Sequence, residues 1–339
     1  MFANVGSGSL KPFPNPSTSS ADPSASLQTL WDYLSPALDY IMQHPIDNTV
    51  KAPTLPSSYH MGIHTAVYNY LTKQSDMADM KPRTSVAPTF LQWQNKTETG
   101  GTVLYKRLDQ YFADASLHIL LAVPDNENSL IHYLIHCFKR YSIGSRSVSR
   151  LLHYMNRHYV RRAVDEDKGW FQTADITDIL NSLVEKFGMN VPSDQISKAV
   201  KERKTEELKK WGYKDGATAE QLALAEACAE AASQPTCVVP LTSLAHRRFR
   251  TTVIDALLAV EGAPKGKKKR NPAAAGRLAL CKSRLGRATE HFLRDDNIDT
   301  KEKVRAVVEL TKVLETVGIK ANHPLRKKLE TFVETHTTT

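Results

Sequence analysis

The sequence predicts an all-α protein, and three observations lead to that prediction. In one segment after another, apolar residues recur at steps of three and four, the spacing that places side chains on one face of a helix. No segment shows the sustained alternation of apolar and polar residues that is typical of a strand. Residues that begin or end helices also lie where these segments need them, such as Thr218 with Gln221 as a capping box and Gly188 as a C-terminal stop.

Three amphipathic segments occupy the first part of the chain. The first has its apolar stripe over residues 27–41, the second covers residues 59–72 and is rich in aromatic residues, and the third covers residues 104–119 and is closed by Pro124. Between the second and the third, residues 74–101 contain two prolines and a Gly-Gly pair. Because these residues interrupt regular structure, that segment is predicted to be a loop.

The longest helical pattern runs from residue 129 to residue 170. Its apolar residues form a single stripe, with arginine and histidine on the other side, and no proline interrupts it. Within this segment Gly144 is the only glycine before residue 169. Two alternatives fit this pattern: two helical segments that meet near residues 143–147, or one long kinked helix.

Further helical segments follow, and composition changes divide the chain. The segment 196–211 is a strongly charged helix, whereas residues 218–232 are rich in alanine and glutamate. The predicted organisation is a disordered tail (1–26), a helical bundle (27–170), an unassigned helical region (171–261), a basic flexible linker (262–276) and a helical C-terminal region (277–335).

Charge and composition limit the functional classes. The net charge of +9 belongs to residues 240–339, where 21 Lys and Arg residues face 11 Asp and Glu residues. No apolar run approaches the roughly 18–20 residues that a membrane helix needs. The N-terminus lacks the pattern of a secretory signal, and the four cysteines are widely spaced without a CxxC pair. These features predict an intracellular protein, cytoplasmic or nuclear, with no membrane segment.

A basic cluster in the linker has two interpretations. It is a candidate nuclear-localisation signal or a solvated linker, and its members are Lys265, Lys267, Lys268, Lys269 and Arg270. An alternative function follows from the same charge: a nucleic-acid-associated helical protein that acts through residues 240–339. Only two aromatic residues lie between residues 240 and 320, which does not suggest stacking on bases.

No motif indicates catalysis, a cofactor or a metal centre. His132 and His136 have the spacing that suits zinc on one helix face, but no acid or cysteine lies in register with them. Nothing resembles a nucleophile elbow or a phosphate-binding loop after a strand. The sequence therefore predicts a non-enzymatic protein without metal or cofactor.

Three short blocks carry a family resemblance. They are VYNYLT at residues 67–72, LYKRL at residues 104–108, and NRHYVRR at residues 156–162. In these blocks, in their order and approximately in their spacing, the chain resembles the first repeat of a cullin N-terminal domain. That resemblance implies a cullin-repeat-like helical bundle, followed here by a second, basic helical region.

The resemblance also implies a partner. In cullins the second and fifth helices of the first repeat contact a substrate adaptor of the BTB/POZ fold, of the Skp or elongin-C class, within ubiquitin-ligase complexes. Carried over by position, the candidate adaptor-binding residues are Met61, His64, Tyr68, Met155 and Tyr159. Where the family usually has Glu-Leu-Tyr this sequence has Gly62-Ile63-His64, which leaves the identity of the adaptor open.

The resemblance ends near residue 172. The RING-binding C-terminal homology domain of cullins, with its modifier-accepting lysine motif, is not found in these 339 residues. The function expected from the sequence is thus a non-catalytic scaffold that resembles the adaptor-binding part of a cullin in ubiquitin-dependent protein catabolism. Two alternatives fit such a chain: a truncated paralogue that competes for adaptor, or a gene fragment or inactive paralogue.

Overall fold

The computed structural model describes residues 22–43, 54–79, 99–171, 181, 184–185, 192–260 and 282–337. Throughout these residues the regular structure is helical, which confirms the all-α prediction. The helices are α1 (Leu27–Gln43), α2 (Ser57–Asp79), α3 (Gly100–Leu121), α4 (Glu127–Leu151), a π-helical turn (Met155–Val160), α5 (Arg161–Asp165), α6 (Ser193–Lys209), α7 (Ala219–Ala232), α8 (Leu241–Phe249), a second π-helical turn (Arg250–Ile254), α9 (Asp255–Leu258), α10 (Arg284–Arg294), α11 (Thr300–Thr316) and α12 (Pro324–Thr337).

Helix α4 is the central element of the fold. It has 25 residues, and the side chain of Asn126 caps its start by accepting a hydrogen bond from the backbone N–H of Asn128. Helices α1, α8, α10 and α11 all pack against it. It continues without a break through residues 143–147, so the predicted junction between two helices does not lie there, and the helix ends at Leu151. A Cβ on Gly144 would lie only 2.7 Å from Sδ of Met42, so the glycine lets α1 approach closely.

The C-terminal half of the chain docks onto the N-terminal bundle through buried tyrosines. The hydroxyl of Tyr105 in α3 donates to the carbonyl of Val239 at 2.9 Å and accepts from its N–H at 3.0 Å. The hydroxyl of Tyr141 in α4 lies 3.1 Å from the carbonyl of Ala245 in α8. One continuous hydrophobic core runs from α1 to α12. The predicted bundle 27–170 therefore shares its core with the helices that follow it.

The end of the predicted disordered tail is ordered. Ser24 is buried, and the Lys73 ammonium on α2 donates to a carboxylate oxygen of Asp22 at 2.7 Å and to the Ser24 hydroxyl at 2.8 Å. These polar contacts hold residues 22–26 against α2 just before α1 begins. The tail prediction is wrong for these five residues, and residues 1–21 lie outside the described part of the chain.

The predicted loop 74–101 is too long at both ends. Helix α2 continues to Asp79, because the prolines of this segment lie beyond that residue, and α3 already begins at Gly100. Residues 80–98 lie outside the described residues. The predicted linker 262–276, with its whole basic cluster, lies outside them too.

Helices α6 and α7 form a small second cluster. Leu208 of α6 packs against Ala225 and Ala229 of α7, and the indole of Trp170 covers them. Lys204 of α6 forms an ion pair with α7, and i,i+4 pairs cover the solvated face of α6. Helix α7 connects this cluster to the main core, since it packs against α8 and α11.

Two buried titratable groups lie beside α8. Nε2 of His246 lies 3.1 Å from the hydroxyl of Ser142 in α4, and burial, together with nearby Arg146, lowers its pKa to about 4. Glu230 of α7 accepts a 2.6 Å hydrogen bond from the Ser243 hydroxyl, and burial raises its pKa to about 7. Protonation of His246 therefore destabilises the folded state, whereas protonation of Glu230 stabilises it.

We expect these two groups to offset each other between pH 7 and pH 5. His246 has a folded pKa below its ordinary value of 6.5. Its favourable contribution to the free energy of unfolding is therefore complete above pH 6.5 and is lost as the pH falls towards 4. Glu230 has a raised folded pKa, so its burial is unfavourable near pH 7 and becomes less so towards pH 5. Each contribution changes by about 2 kcal/mol over this interval.

Single substitutions should separate the two contributions. Relative to the wild type, the free energy of unfolding of His246→Gln should rise by about 2 kcal/mol from pH 7 to pH 5, and that of Glu230→Gln should fall by about as much. Urea unfolding at both pH values measures these slopes. Identical slopes for all three proteins would contradict the assignment.

Candidate interaction surface

Helix α2 has one buried face and one exposed aromatic face. The buried face recurs at helical spacing and consists of Tyr59, Ile63, Val67 and Tyr70. On the other face Met61 is 60% exposed and Tyr68 is 41% exposed, and His64 is half-buried beside them. Residues seven apart lie on the same side of an α-helix, so Met61 and Tyr68 share one surface.

The segment after α4 faces α2. Met155 and Val160, the first and last residues of the π-helical turn, are buried. The Asn156 amide donates to the Ser149 hydroxyl at 2.8 Å, and its oxygen accepts from the backbone N–H of Leu241 at 3.0 Å. This side chain ties the turn to both α4 and α8, and thereby fixes the side chains that flank it.

Aromatic rings from the two segments pack against each other. Tyr154 contacts Tyr68 edge to face at 4.9 Å between ring centroids and His64 at 5.2 Å. His158 stacks on Tyr154 at 4.4 Å, and His153 stacks on His64 at 4.8 Å. We call this surface the aromatic patch, and its members are Met61, His64, Tyr68, His153, Tyr154 and His158.

The electrostatic environment of the patch favours a neutral His64. Burial lowers its pKa below the ordinary value, and the neighbouring imidazoles of His153 and His60 lower it further. The patch therefore presents amphipathic rings and a thioether, the kinds of side chain that are enriched in the centre of protein interfaces.

The structure brings together three of the five predicted adaptor-binding residues. Met61, His64 and Tyr68 lie in the aromatic patch, whereas Met155 is fully buried in the core. Tyr159 points to α3, where its ring lies 5.4 Å from that of Tyr105. The structure does not place these last two on the surface beside α2: Met155 continues the buried stripe of Val148 and Leu152, and the ring of Tyr159 packs against α3.

Sequence reasoning missed the three patch residues that follow α4. His153 and Tyr154 directly precede Met155 in the chain, and His158 directly precedes Tyr159. The sequence contained a signal for them, since two histidines and a tyrosine lie on the polar side of this helical segment, beside its apolar stripe. The sequence does not show that these residues, and not their neighbours, face α2.

The described residues contain neither a cluster of metal-ligating side chains nor a membrane-spanning helix. Nowhere among them do three or more His, Cys, Asp or Glu side chains lie together as metal ligands would. None of the helices that the structure describes has the length and apolar character to cross a membrane.

Comparison with known proteins identifies the family. The family model described as the cullin alpha solenoid domain matches residues 31–211, more than half of the chain. Cell division control protein 53 of Saccharomyces cerevisiae (strain ATCC 204508 / S288c) is 23% identical over 147 residues, which are 42% of this chain and 17% of the yeast protein. The chain thus spans about a sixth of the length of that relative. No solved structure matches the chain. From the family match and the helical fold it follows that this chain belongs to the cullin family.

Proposed function

We propose that this chain is a non-catalytic scaffold that binds a substrate adaptor of a ubiquitin-ligase complex through the aromatic patch. The observation that carries the proposal is the pairing of Met61 and Tyr68 on α2 with Tyr154 after α4. The cullin resemblance assigns adaptor binding to these same two parts of the first repeat. The adaptor class it implies is the BTB/POZ fold of the Skp or elongin-C type.

The exposure of the patch supports an interface. A solvated helix surface does not require a methionine that is 60% exposed next to a tyrosine that is 41% exposed. Tyrosine contributes a large contact area at low entropic cost and keeps a hydroxyl group for pairing, and for this reason it is frequent among binding hot spots. The patch is also held rigidly, because its rings pack on each other and Asn156 anchors the turn behind them.

The alternative function, nucleic-acid binding through residues 240–339, has less support. Part of the positive charge there is paired within the described part of the chain. Arg287 pairs with Glu127 at 2.9 Å, Arg294 with Glu290 at 2.8 Å, and Arg326 with Glu330 at 3.1 Å. Such pairs reduce the positive potential available to phosphates.

A double substitution in the patch tests the proposal. Tyr68→Ala with Tyr154→Ala should weaken binding to the cognate adaptor by about 2 kcal/mol for each hot spot, or roughly thirtyfold each. Isothermal titration against purified BTB/POZ adaptors of the Skp and elongin-C classes measures this loss. The matched control is Leu117→Ala with Leu121→Ala, which removes two exposed apolar side chains from α3 and should leave affinity unchanged.

The melting temperature of each variant separates binding from folding. Tyr68 is largely exposed, so its loss should change stability little. Tyr159→Ala should instead lower the melting temperature, because its ring fills space against Tyr105. If none of the adaptors binds the wild-type chain, or if the double variant binds as tightly as the wild type, the proposed function is wrong.

A further inference from the structure

The aromatic patch lies in a part of the chain without acidic residues. Residues 48–75 and 128–164, which contain all six patch residues, include no Asp or Glu. Three exposed arginines lie within three positions of a patch residue in the sequence: Arg150, Arg157 and Arg161. Arg150 lies four positions before Tyr154, and Arg157 lies three positions after it. We call these three side chains the arginine rim.

Among the described residues, no acidic side chain neutralises the arginine rim. In the part of the chain that the structure describes, none of its three guanidinium groups makes a hydrogen bond or an ion pair, although exposed Asp165 lies four positions after Arg161. The adjacent Arg162, by contrast, pairs with Glu166 at 3.0 Å. The surface around the apolar centre is therefore positive.

We infer that the partner of this surface presents an apolar centre bordered by Asp and Glu side chains. An interface of standard size has an apolar core and a polar rim, and its rim charges are complementary between the two partners. The structure supplies the apolar core in the patch and an unpaired positive border beside it. This inference rests on the proposed function and extends it, because it names the chemistry that the adaptor's docking face must have.

An acidic protein surface fits this face better than a nucleic acid does. Binding of single strands requires free ring faces on which bases can stack. Here His158 covers one face of Tyr154, and His153 covers one face of His64. Met61, which is 60% exposed, offers no ring at all.

Charge reversal in the rim tests the inference. The triple variant Arg150→Glu, Arg157→Glu, Arg161→Glu should bind the cognate adaptor at least tenfold more weakly, chiefly through a slower association rate. Wild-type affinity should fall as NaCl rises from 50 to 300 mM, and the triple variant should lose that dependence. Arg305→Glu, which reverses an exposed arginine on α11, is the matched control and should bind like the wild type.

Two complementary variants complete the test. Replacing all three rim arginines by lysine keeps the charge and should keep most of the association rate. Changing Asp and Glu of the adaptor's docking face to Lys should weaken wild-type binding and restore binding of the charge-reversed chain.

The outcomes separate this inference from the proposed function. An adaptor that binds wild type and triple variant equally, at every salt concentration, would leave the proposed function standing and overturn the acidic border. Absence of adaptor binding would overturn both. The inference would also be overturned if a labelled single-stranded oligonucleotide bound through the arginine rim while adaptor binding did not depend on the rim.

Discussion

Replacing Arg247 by methionine should lower the free energy of unfolding by about 3–5 kcal/mol. Arg247 is only 2% exposed, although it stands in a run of basic residues. One of its terminal nitrogens lies 2.8 Å from the carbonyl of Gln234, 2.9 Å from that of Cys237 and 3.2 Å from the Ser233 hydroxyl. Methionine fills similar space but leaves these oxygens in the protein without a donor.

The measurement is urea unfolding followed by circular dichroism. Arg305→Met on α11 serves as the control, because Arg305 is exposed and its loss should cost less than about 0.5 kcal/mol. Arg247→Lys should lie between the two, since a single ammonium group cannot reproduce the planar guanidinium. A loss below 1 kcal/mol for Arg247→Met would show that the connection between α7 and α8 does not depend on this side chain.

Replacing Gly318 by alanine should destabilise the fold by about 3 kcal/mol or more. Gly318 follows α11 with a φ of +83°, a conformation that is unfavourable for residues with a Cβ. A Cβ there would also lie 2.6 Å from the backbone nitrogen of Ala232, at the end of α7. Because that contact is with backbone, the two helices would have to move apart.

Gly216 provides the matched control for this prediction. Its φ is +82°, nearly the same as that of Gly318, but a Cβ there would have nothing within 4 Å. Gly216→Ala should therefore show only the backbone cost of about 1 kcal/mol. Thermal unfolding of both variants measures the difference. Equal destabilisation would mean that the close approach of α7 does not constrain residue 318.

Local pattern was sufficient to predict much of the fold. The stripe of α4 follows from steps of three and four along one segment, and the capping box at Thr218 forms as its sequence indicates. The placement of Met61, His64 and Tyr68 on one face of α2 follows from the same periodicity. These features depend on residues close in sequence, and periodicity reports on those alone.

Features that depend on distant residues could not be predicted in this way. No local pattern indicates that Arg247 is buried. The oxygen atoms that accept its hydrogen bonds come close to it only when the segment between α7 and α8 folds over it. The position of Tyr159 depends on a π-helical turn that Asn156 ties to α8. The periodicity of a helix also does not reveal which neighbour covers it, and so the docking of α8 onto α3 and α4 was not foreseen.

The hydrogen bonds between Tyr105 and Val239 join residues that are 134 positions apart. Ribosomes add about 5–20 residues per second, so on the order of ten seconds pass between the synthesis of α3 and the synthesis of its partner. During that interval the apolar surface of α3 and α4 that α8 later covers lacks this partner. We expect newly made chains of this protein to bind chaperones that shield apolar surface until α8 has been synthesised.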